Sequence, residues 1–178
     1  MSYLRPRLWI ALLLLLQTPW SRATDVELQV SGAELNGYGL FETATSQRRS
    51  SYSDRTAGAD VVTGVRFTEF TSEIPAVLKT NFGFNYSINT TPRGQKLWVK
   101  QVIRFPEPGL HHPGGKVYRE SVERKQVEIG KSTLHGYGFD EAWEIVPGEW
   151  VFEVWYQKAR LIRKTFIVTA SGETAGGQ

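Results

Sequence analysis

The sequence predicts an all-β domain, arranged as a β-sandwich of about seven to nine mostly antiparallel strands. Two observations predict it. Short segments in which apolar and polar residues alternate recur along the chain at intervals of roughly 10–14 residues, with turn residues between them. The last pair of such segments, within residues 137–169, has the pattern of a closing hairpin.

The closing hairpin begins after Pro147-Gly148, a dipeptide that favours a tight turn. Every second residue is then apolar, as in a strand with one buried face, and these residues are Trp150, Phe152, Val154 and Tyr156. The polar residues 157–160 have the length of a hairpin loop, and without Asn-Gly or Asp-Gly they leave the turn type open. The second strand is predicted from Ile162, Lys164, Phe166 and Val168, which resume the alternation.

Earlier segments with the same period predict further strands, and they cover 26–31, 64–71, 82–88 and 97–105. Residues 36–42 are predicted to be a turn that leads into a second short strand. Between Val99 and Val102 the alternation changes phase, which predicts a β-bulge in that strand. Ile74-Pro75-Ala76 is interpreted as a strand edge or a turn, because proline cannot donate a hydrogen bond within a central ladder.

The polar segment from Ala44 to Gly64 is predicted to be a connection without regular structure. Two interpretations remain open for it. One is a mobile surface loop, and the other is a basic contact loop for an anionic partner. In the second case Arg48, Arg49 and Tyr52 would contact that partner.

Two later segments are less regular than the strands. Residues 106–115 contain three prolines and three glycines, which predicts an ordered crossing or rim loop. The highly charged segment from Lys116 to Ile129 fits an exposed edge strand or hairpin, with a short helix as the alternative.

The N-terminus has the pattern of a secretory signal peptide covering residues 1–23. Arg5 and Arg7 precede nine consecutive apolar residues, and Ser21 and Ala23 are small residues suited to cleavage before Thr24. An uncleaved anchor is the alternative, but a membrane-spanning helix needs about 20 apolar residues. The prediction is a single β-sandwich domain over 24–170 and a flexible tail over 171–178.

Removal of the signal peptide changes the charge balance of the chain. The full sequence has 21 basic and 18 acidic residues, and three of the arginines lie within residues 1–23. The mature chain is therefore formally neutral, which removes the global electrostatic argument for nucleic-acid binding. Because the sequence has no cysteine, neither disulfides nor a lipid-modified N-terminal cysteine are expected. We expect a soluble bacterial protein that is periplasmic or secreted, with no membrane span after cleavage.

Several landmarks occur in a familiar order, and they are Gly37-Tyr38-Gly39, Ile74-Pro75-Ala76, Phe82-Gly83, Phe105-Pro106, Gly109-Leu110, Gly136-Tyr137, Trp143-Glu144 and Pro147-Gly148-Glu149-Trp150. Together they resemble a family of exported bacterial domains of unknown function, over nearly the whole mature chain. The Pro-Gly-x-Trp hairpin is also similar to the last two strands of bacterial immunoglobulin-like domains. The resemblance implies an immunoglobulin-like β-sandwich and supplies no catalytic residues.

Histidines and nucleophile motifs give little evidence for catalysis or for a cofactor. His111 and His112 would point to opposite faces of an extended segment, so with His135 they are expected to be loop residues rather than zinc ligands. The sequence contains neither a G-x-S-x-G motif nor a phosphate-binding glycine loop. No metal and no cofactor are predicted.

Acidic residues near Trp143 define the alternative that the protein is an enzyme. Paired carboxylates beside an aromatic ring are what a glycosidase requires, and Asp140, Glu141 and Glu144 are the candidates. The simpler interpretation is that these residues lie at a strand corner and bind backbone or arginine partners.

Trp155 and Trp98 are the aromatic residues most suited to binding. If Trp150, Phe152 and Val154 face the core, Trp155 faces away from it, where it would stack on a sugar ring or anchor a partner, unless a flanking loop covers it. The favoured hypothesis is a non-catalytic module that binds a cell-envelope protein or polysaccharide or takes part in assembly. The alternative is a small carboxylate-dependent hydrolase.

Overall fold

The computed structural model describes residues 32–49 and 59–170. That part of the chain forms thirteen strands and one short 3-10 helix, η1. The elements are β1 (Ala33–Glu42), β2 (Thr45–Arg49), β3 (Ala59–Thr63), β4 (Arg66–Glu69), β5 (Glu73–Pro75), β6 (Asn81–Ile88), β7 (Lys96–Arg104), β8 (Leu110–His111), β9 (Val117–Tyr118), β10 (Glu120–Glu128), β11 (Thr133–Gly138), η1 (Ala142–Glu144), β12 (Gly148–Tyr156) and β13 (Ala159–Thr169).

Two main sheets form the sandwich. One has the strand order β11-β6-β1-β4 and the other the order β10-β7-β12-β13-β5. Neighbouring strands are antiparallel except β5, which runs parallel to β13 at the sheet edge. These nine strands confirm the predicted all-β sandwich, and the edge position of β5 agrees with the prediction from its proline.

The core lies between the two sheets and is rich in aromatic residues. Phe82 of β6 is fully buried and meets Trp150 and Phe166 of the opposite sheet at ring-centroid distances of 5.6 and 5.5 Å. Trp150, Phe152 and Val154 are buried on one face of β12, as the alternation predicts. Such large side chains stabilise a domain of this size without any cross-link.

Three glycines lie side by side across β1, β6 and β11. Gly83 pairs with Gly39 on one side and with Gly136 on the other. A Cβ atom at Gly83 would overlap the carbonyl oxygen of His135 and the Cα of Gly136, and one at Gly39 would overlap the carbonyl oxygen of Glu69. The two Gly-Tyr-Gly sequences therefore serve close backbone packing in the four-stranded sheet. The turn predicted at the start of residues 36–42 is wrong, because β1 continues through Gly37-Tyr38-Gly39 and pairs with β6 there.

The prediction of a structureless connection over 44–64 is wrong in part. β2 and β3 lie in this segment and pair with each other as a two-stranded antiparallel sheet, with Thr45 opposite Thr63 and Arg49 opposite Ala59. Both strands have only five residues and neither alternates regularly between apolar and polar positions, so the period gave no signal for them.

The predicted bulge between Val99 and Val102 is also wrong. β7 pairs with β10 without interruption from Arg104 to Lys96, and its pairing with β12 is equally regular. The apparent change of phase arises because both faces of the strand are buried near Val102, while Gln101 occupies the core-facing position. A real register shift occurs elsewhere, between Val154 and Trp155 in the pairing of β12 with β13.

The segment from Lys116 to Ile129 is strand rather than helix. β9 and β10 account for most of it, and β10 forms one edge of the five-stranded sheet. Within 106–115 the chain is a loop apart from β8, which pairs with β9.

The predicted signal peptide, the strand over 26–31 and the tail over 171–178 lie outside the described residues. No helix in the described part of the chain is long and apolar enough to cross a membrane.

The prediction that His135 is a loop residue is wrong, because it belongs to β11 and is part of the core. His135 is 4 % exposed, its ring lies 5.4 Å from that of Phe84, and its Nε2 donates a hydrogen bond to the carbonyl oxygen of Val102 at 3.1 Å. Burial lowers the pKa of His135 from 6.5 to about 4, against the raising effect of the hydrogen bond. The imidazole is therefore neutral in the folded protein over most of the acidic range.

We expect this histidine to make the protein acid-sensitive. Between pH 6.5 and about 4 the unfolded chain takes up a proton at His135 that the folded chain does not, so the free energy of unfolding decreases as pH falls. From pH 7.5 to 4.5 the loss through this group is roughly 2–3 kcal/mol. Urea titrations should show a correspondingly smaller loss in His135→Gln. The exposed-site variant His111→Gln should keep the wild-type dependence, and an unchanged dependence in His135→Gln would contradict the assignment.

Replacement of Gly83 by alanine should destabilise the protein. The added Cβ has no room beside His135 and Gly136, and overpacking of this kind costs roughly 1–3 kcal/mol. Thermal unfolding of Gly83→Ala measures the effect. Gly32→Ala is the matched control, because a Cβ there meets nothing within 4 Å. Equal melting temperatures for the two variants would show that the sheet can adjust at Gly83.

Candidate binding groove

The outward face of the five-stranded sheet brings one indole and two cations into a single row. Trp155 of β12 pairs with Lys100 of β7, and Lys100 pairs with Arg124 of β10. Successive side chains of a strand point to opposite faces, so Trp98, two residues before Lys100 in β7, lies on the same face as Lys100. The sheet register thus places both predicted binding tryptophans on one surface.

These side chains line an open groove with a volume of about 600 Å³. Its lining residues are Gln95, Lys96, Leu97, Trp98, Val99, Lys100, Arg124, Trp155, Tyr156 and Gln157. The charged residues in this lining are all basic, namely Lys96, Lys100 and Arg124. We refer to this site as the Trp98–Trp155 groove.

Trp98 is the more exposed of the two tryptophans. Its side chain is 52 % exposed, and the guanidinium carbon of Arg124 lies 5.4 Å from the centre of its ring. Such a cation–π contact orients both side chains at a partly solvated site. Much of the Trp98 indole nevertheless remains accessible to a ligand.

Trp155 is partly buried and is held in place from several directions. The indole Nε1 donates a hydrogen bond to Oε2 of Glu153 at 3.0 Å. Lys100 Nζ lies 5.3 Å and the guanidinium carbon of Arg160 5.8 Å from the ring centre. The neighbours of Trp155 are thus charged side chains of the sheet face, and its ring orientation is set before any ligand arrives.

Glu153 is the buried acid that anchors this arrangement. It is 3 % exposed and forms ion pairs with Arg160 at 3.0 Å and with Arg104 at 3.5 Å. Burial alone would raise its pKa, but the hydrogen bonds from Trp155 and Arg160 and the charges of the two arginines lower the pKa below its usual range. Glu153 is therefore a carboxylate whose charge is used to hold Trp155 and Arg160.

Among residues 32–49 and 59–170, neither Lys100 nor Arg124 forms an ion pair with a carboxylate. Each of them contacts an indole ring instead. The nearby acids are engaged elsewhere. Glu153 binds the two arginines, and Glu128, opposite Lys96 in the register, forms an ion pair with Lys131 at 2.9 Å. The groove therefore has an uncompensated positive charge.

The contact residues predicted in the 44–64 segment are Arg48, Arg49 and Tyr52. Arg48 and Arg49 belong to β2, in a two-stranded sheet that pairs with neither main sheet. Tyr52 lies outside the described residues. The contact-loop hypothesis stays a prediction.

The acidic residues near Trp143 have separate surroundings. Glu144 is fully buried, its Oε2 accepts hydrogen bonds from the backbone amides of Asp140 and Glu141 at 2.8 Å each, and its Oε1 accepts one from the Tyr137 hydroxyl at 3.0 Å. Burial raises the pKa of Glu144 despite these hydrogen bonds. Asp140 contacts Lys79 at 3.3 Å, and Glu141 is exposed. These hydrogen bonds indicate that Glu144 has a structural role: it acts as a brace that holds the backbone of the strand corner in place.

The remaining histidines lie near Trp143 on the rim. The His112 ring is 4.9 Å from that of Trp143, and its Nδ1 accepts a hydrogen bond from the amide of Gly114 at 2.9 Å. Within the described ranges, no group of three or more His, Cys, Asp or Glu side chains is placed to hold a metal ion.

Sequence reasoning found the two tryptophans of the groove and missed its cations. Lys96, Trp98 and Lys100 occupy alternate positions in the sequence, which was a usable signal for a basic and aromatic strand face. Arg124 gave no such signal, because its position beside Trp98 depends on the pairing of β7 with β10, which the sequence does not specify.

Comparisons with known proteins identify a family and a fold. A family model described as a domain of unknown function, DUF3859, matches residues 30–168. The crystal structure of an immunoglobulin-like protein from Pseudomonas aeruginosa is similar, with a TM-score of 0.54 and 23 % identity, over 79 % of this chain and 98 % of that one. No curated protein shows significant similarity to the chain.

Replacement of Glu144 by glutamine should destabilise the fold. With its NH₂ group toward Asp140 and Glu141, the new amide leaves two backbone amides without their acceptor; with its NH₂ group toward Tyr137, the hydroxyl must accept a hydrogen bond where it now donates one. A buried unsatisfied donor costs roughly 1–3 kcal/mol, which chemical denaturation measures. The exposed Glu149→Gln on β12 makes the same change of charge and should leave stability unchanged. Equal stability of the two variants would mean that Glu144 is not a brace.

Proposed function

The chain belongs to the DUF3859 family, a domain of unknown function that here has an immunoglobulin-like fold, and we propose that it is a non-catalytic module of the bacterial cell envelope that binds a polysaccharide through the Trp98–Trp155 groove. One observation carries this proposal: two indoles on neighbouring strands share an open groove on a rigid sheet face. Placement in the envelope rests on the signal-peptide pattern of residues 1–23.

The spacing of the indoles suits an extended chain of sugars. Trp98 and Trp155 occupy diagonal positions on adjacent antiparallel strands, where Cβ atoms are about 7–8 Å apart. Two rings at this spacing can contact separate sugar residues of one chain. The apolar C–H face of a pyranose stacks on an indole, while its hydroxyl groups hydrogen-bond to the polar side chains that surround the rings, such as Gln95 and Gln157.

A protein partner fits the groove less well. The centre of a protein interface excludes water and is depleted in lysine, although tryptophan and arginine are enriched there. Here Lys100 stands between the two tryptophans in the register, and the aliphatic lining residues Leu97 and Val99 are buried. Alternating aromatic and charged side chains match an amphipathic sugar chain better than an apolar protein surface.

The non-catalytic part of the proposal is supported by the same geometry. Each acidic residue adjoining the groove is an ion-pair partner, Glu153 with two arginines and Glu128 with Lys131. Glu144, the buried carboxyl of the hydrolase hypothesis, has both oxygens occupied by hydrogen bonds. A glycosidase needs two carboxyl groups that face the substrate.

Binding is tested with the exported protein and polysaccharides extracted from the envelope of the bacterium that encodes it. Titration calorimetry should give an affinity at least tenfold weaker for Trp98→Ala, a loss of about 1.4 kcal/mol of binding free energy, because a stacking surface is removed. The melting temperature should stay unchanged, since Trp98 is half exposed.

The matched control for Trp98→Ala is Trp143→Phe, which changes a tryptophan on the loop rim outside the groove and should bind like the wild type. Trp155→Ala should weaken binding and also lower stability, because Glu153 loses a hydrogen bond. Wild-type affinity in Trp98→Ala would rule out the groove. Release of shorter fragments from the bound polysaccharide would contradict the non-catalytic assignment.

A further inference from the structure

We propose that the polysaccharide bound by the Trp98–Trp155 groove is anionic, and that Lys100 and Arg124 contact the negatively charged groups on its sugar residues. This inference rests on the proposed function and adds the chemical class of the ligand. The ligand carries carboxylate, phosphate or sulfate groups, which share the chemistry that an ammonium and a guanidinium recognise.

Charge complementarity is the first argument. The ionised side chains that line the groove are Lys96, Lys100 and Arg124, and all three are positive. Without the three arginines of residues 1–23 the chain is formally neutral, so this is a local concentration of charge and does not reflect a generally basic domain. A neutral ligand would leave these cations partly desolvated without a counter-charge, which is unfavourable.

The arrangement of the acidic residues is the second argument. Elsewhere on this sheet face two arginines are paired with acids: Arg160 and Arg104 bind Glu153, and Arg104 also binds Glu120 at 2.9 Å. Within the described ranges the two central cations of the groove have indole rings as neighbours instead. A ring face orients a cation without neutralising it, so Lys100 and Arg124 keep their full charge for an incoming anion.

Geometry gives the third argument. Arg124 lies over Trp98 and Lys100 over Trp155, at 5.4 and 5.3 Å from the ring centres, so each indole adjoins one cation of the groove lining, and Trp155 also adjoins Arg160 outside that lining at 5.8 Å. The groove therefore repeats one unit, a stacking ring beside a positive charge, on neighbouring strands. A polymer whose sugar residues each have an apolar ring face and an anionic substituent matches that repeat.

The experiment compares charged and neutral ligands on the same protein. Envelope polysaccharide is digested with proteinase and separated by anion exchange into acidic and neutral fractions. Polygalacturonate and its fully methyl-esterified form provide a pair with the same backbone and different charge. Binding is measured by calorimetry at low and high salt for the wild type, for the double variant Lys100→Gln/Arg124→Gln and for Arg163→Gln.

The wild type should bind the acidic fraction, and raising the salt concentration should weaken binding, because screening acts on exposed charges. The double variant should bind at least tenfold more weakly while keeping the wild-type melting temperature, since neither cation has an ion-pair partner to lose in the described part of the chain. Arg163→Gln removes an exposed cation from the same sheet face outside the groove lining, and it should bind like the wild type.

Two results would overturn the inference, and they differ from each other. The first result is that both fractions bind equally, and that Trp98→Ala weakens this binding while the double variant does not. The groove would then bind polysaccharide without recognising its charge. Binding of neither fraction would remove the proposed function as well.

If polygalacturonate and its methyl ester bind alike, carboxylates are not recognised. Binding of dextran sulfate but not of dextran would then identify sulfate as the group that is recognised.

Discussion

Aromatic packing across the interface of the two sheets is the interaction on which the rest of the structure depends. Phe82 on one sheet meets Trp150 and Phe166 on the other, in a domain whose sequence has no cysteine. Once Trp150, Phe152 and Val154 are buried, the strand period of two sends Glu153 and Trp155 to the outer face. The core thus determines which side chains the outer face presents, and a one-residue slip in β12 would bury the groove residues.

Features that depend on local sequence were predictable, whereas features that depend on strand pairing were not. The closing hairpin, the buried face of β12 and the outward position of Trp155 follow from alternation alone. The position of Arg124 beside Trp98 follows from the register of β10 on β7, two strands whose pairing no residue pattern specifies. The wrong prediction of a bulge near Val102 also comes from strand pairing, which the sequence does not specify. A strand that lies between two others near the centre of a sheet can be buried on both faces. The pairing of β2 with β3 was not predicted because both strands are short and lack a regular alternation.

From the sequence alone, a polar residue beside aromatic rings could be either catalytic or structural. The structure shows which of the two holds for His135 and Glu144. His135 and Glu144 both occur next to Gly-Tyr-Gly or tryptophan, where a catalytic group would also be found. Their actual partners are backbone atoms: His135 binds the carbonyl oxygen of Val102, and Glu144 binds the amides of Asp140 and Glu141. A sandwich with a core of large rings leaves backbone groups near its ends unpaired, and a buried polar side chain is one way to satisfy them.

The hydrogen bond from Trp155 to Glu153 also has an evolutionary consequence. One wall of the groove is coupled to the stability of the sheet, since a substitution at Trp155 leaves a buried carboxylate short of a donor. The other wall, formed by Trp98 and Arg124, has no such tie, so exchange there should cost less stability. If the groove binds as proposed, members of the family should therefore vary more at positions 98 and 124 than at the pair 153 and 155.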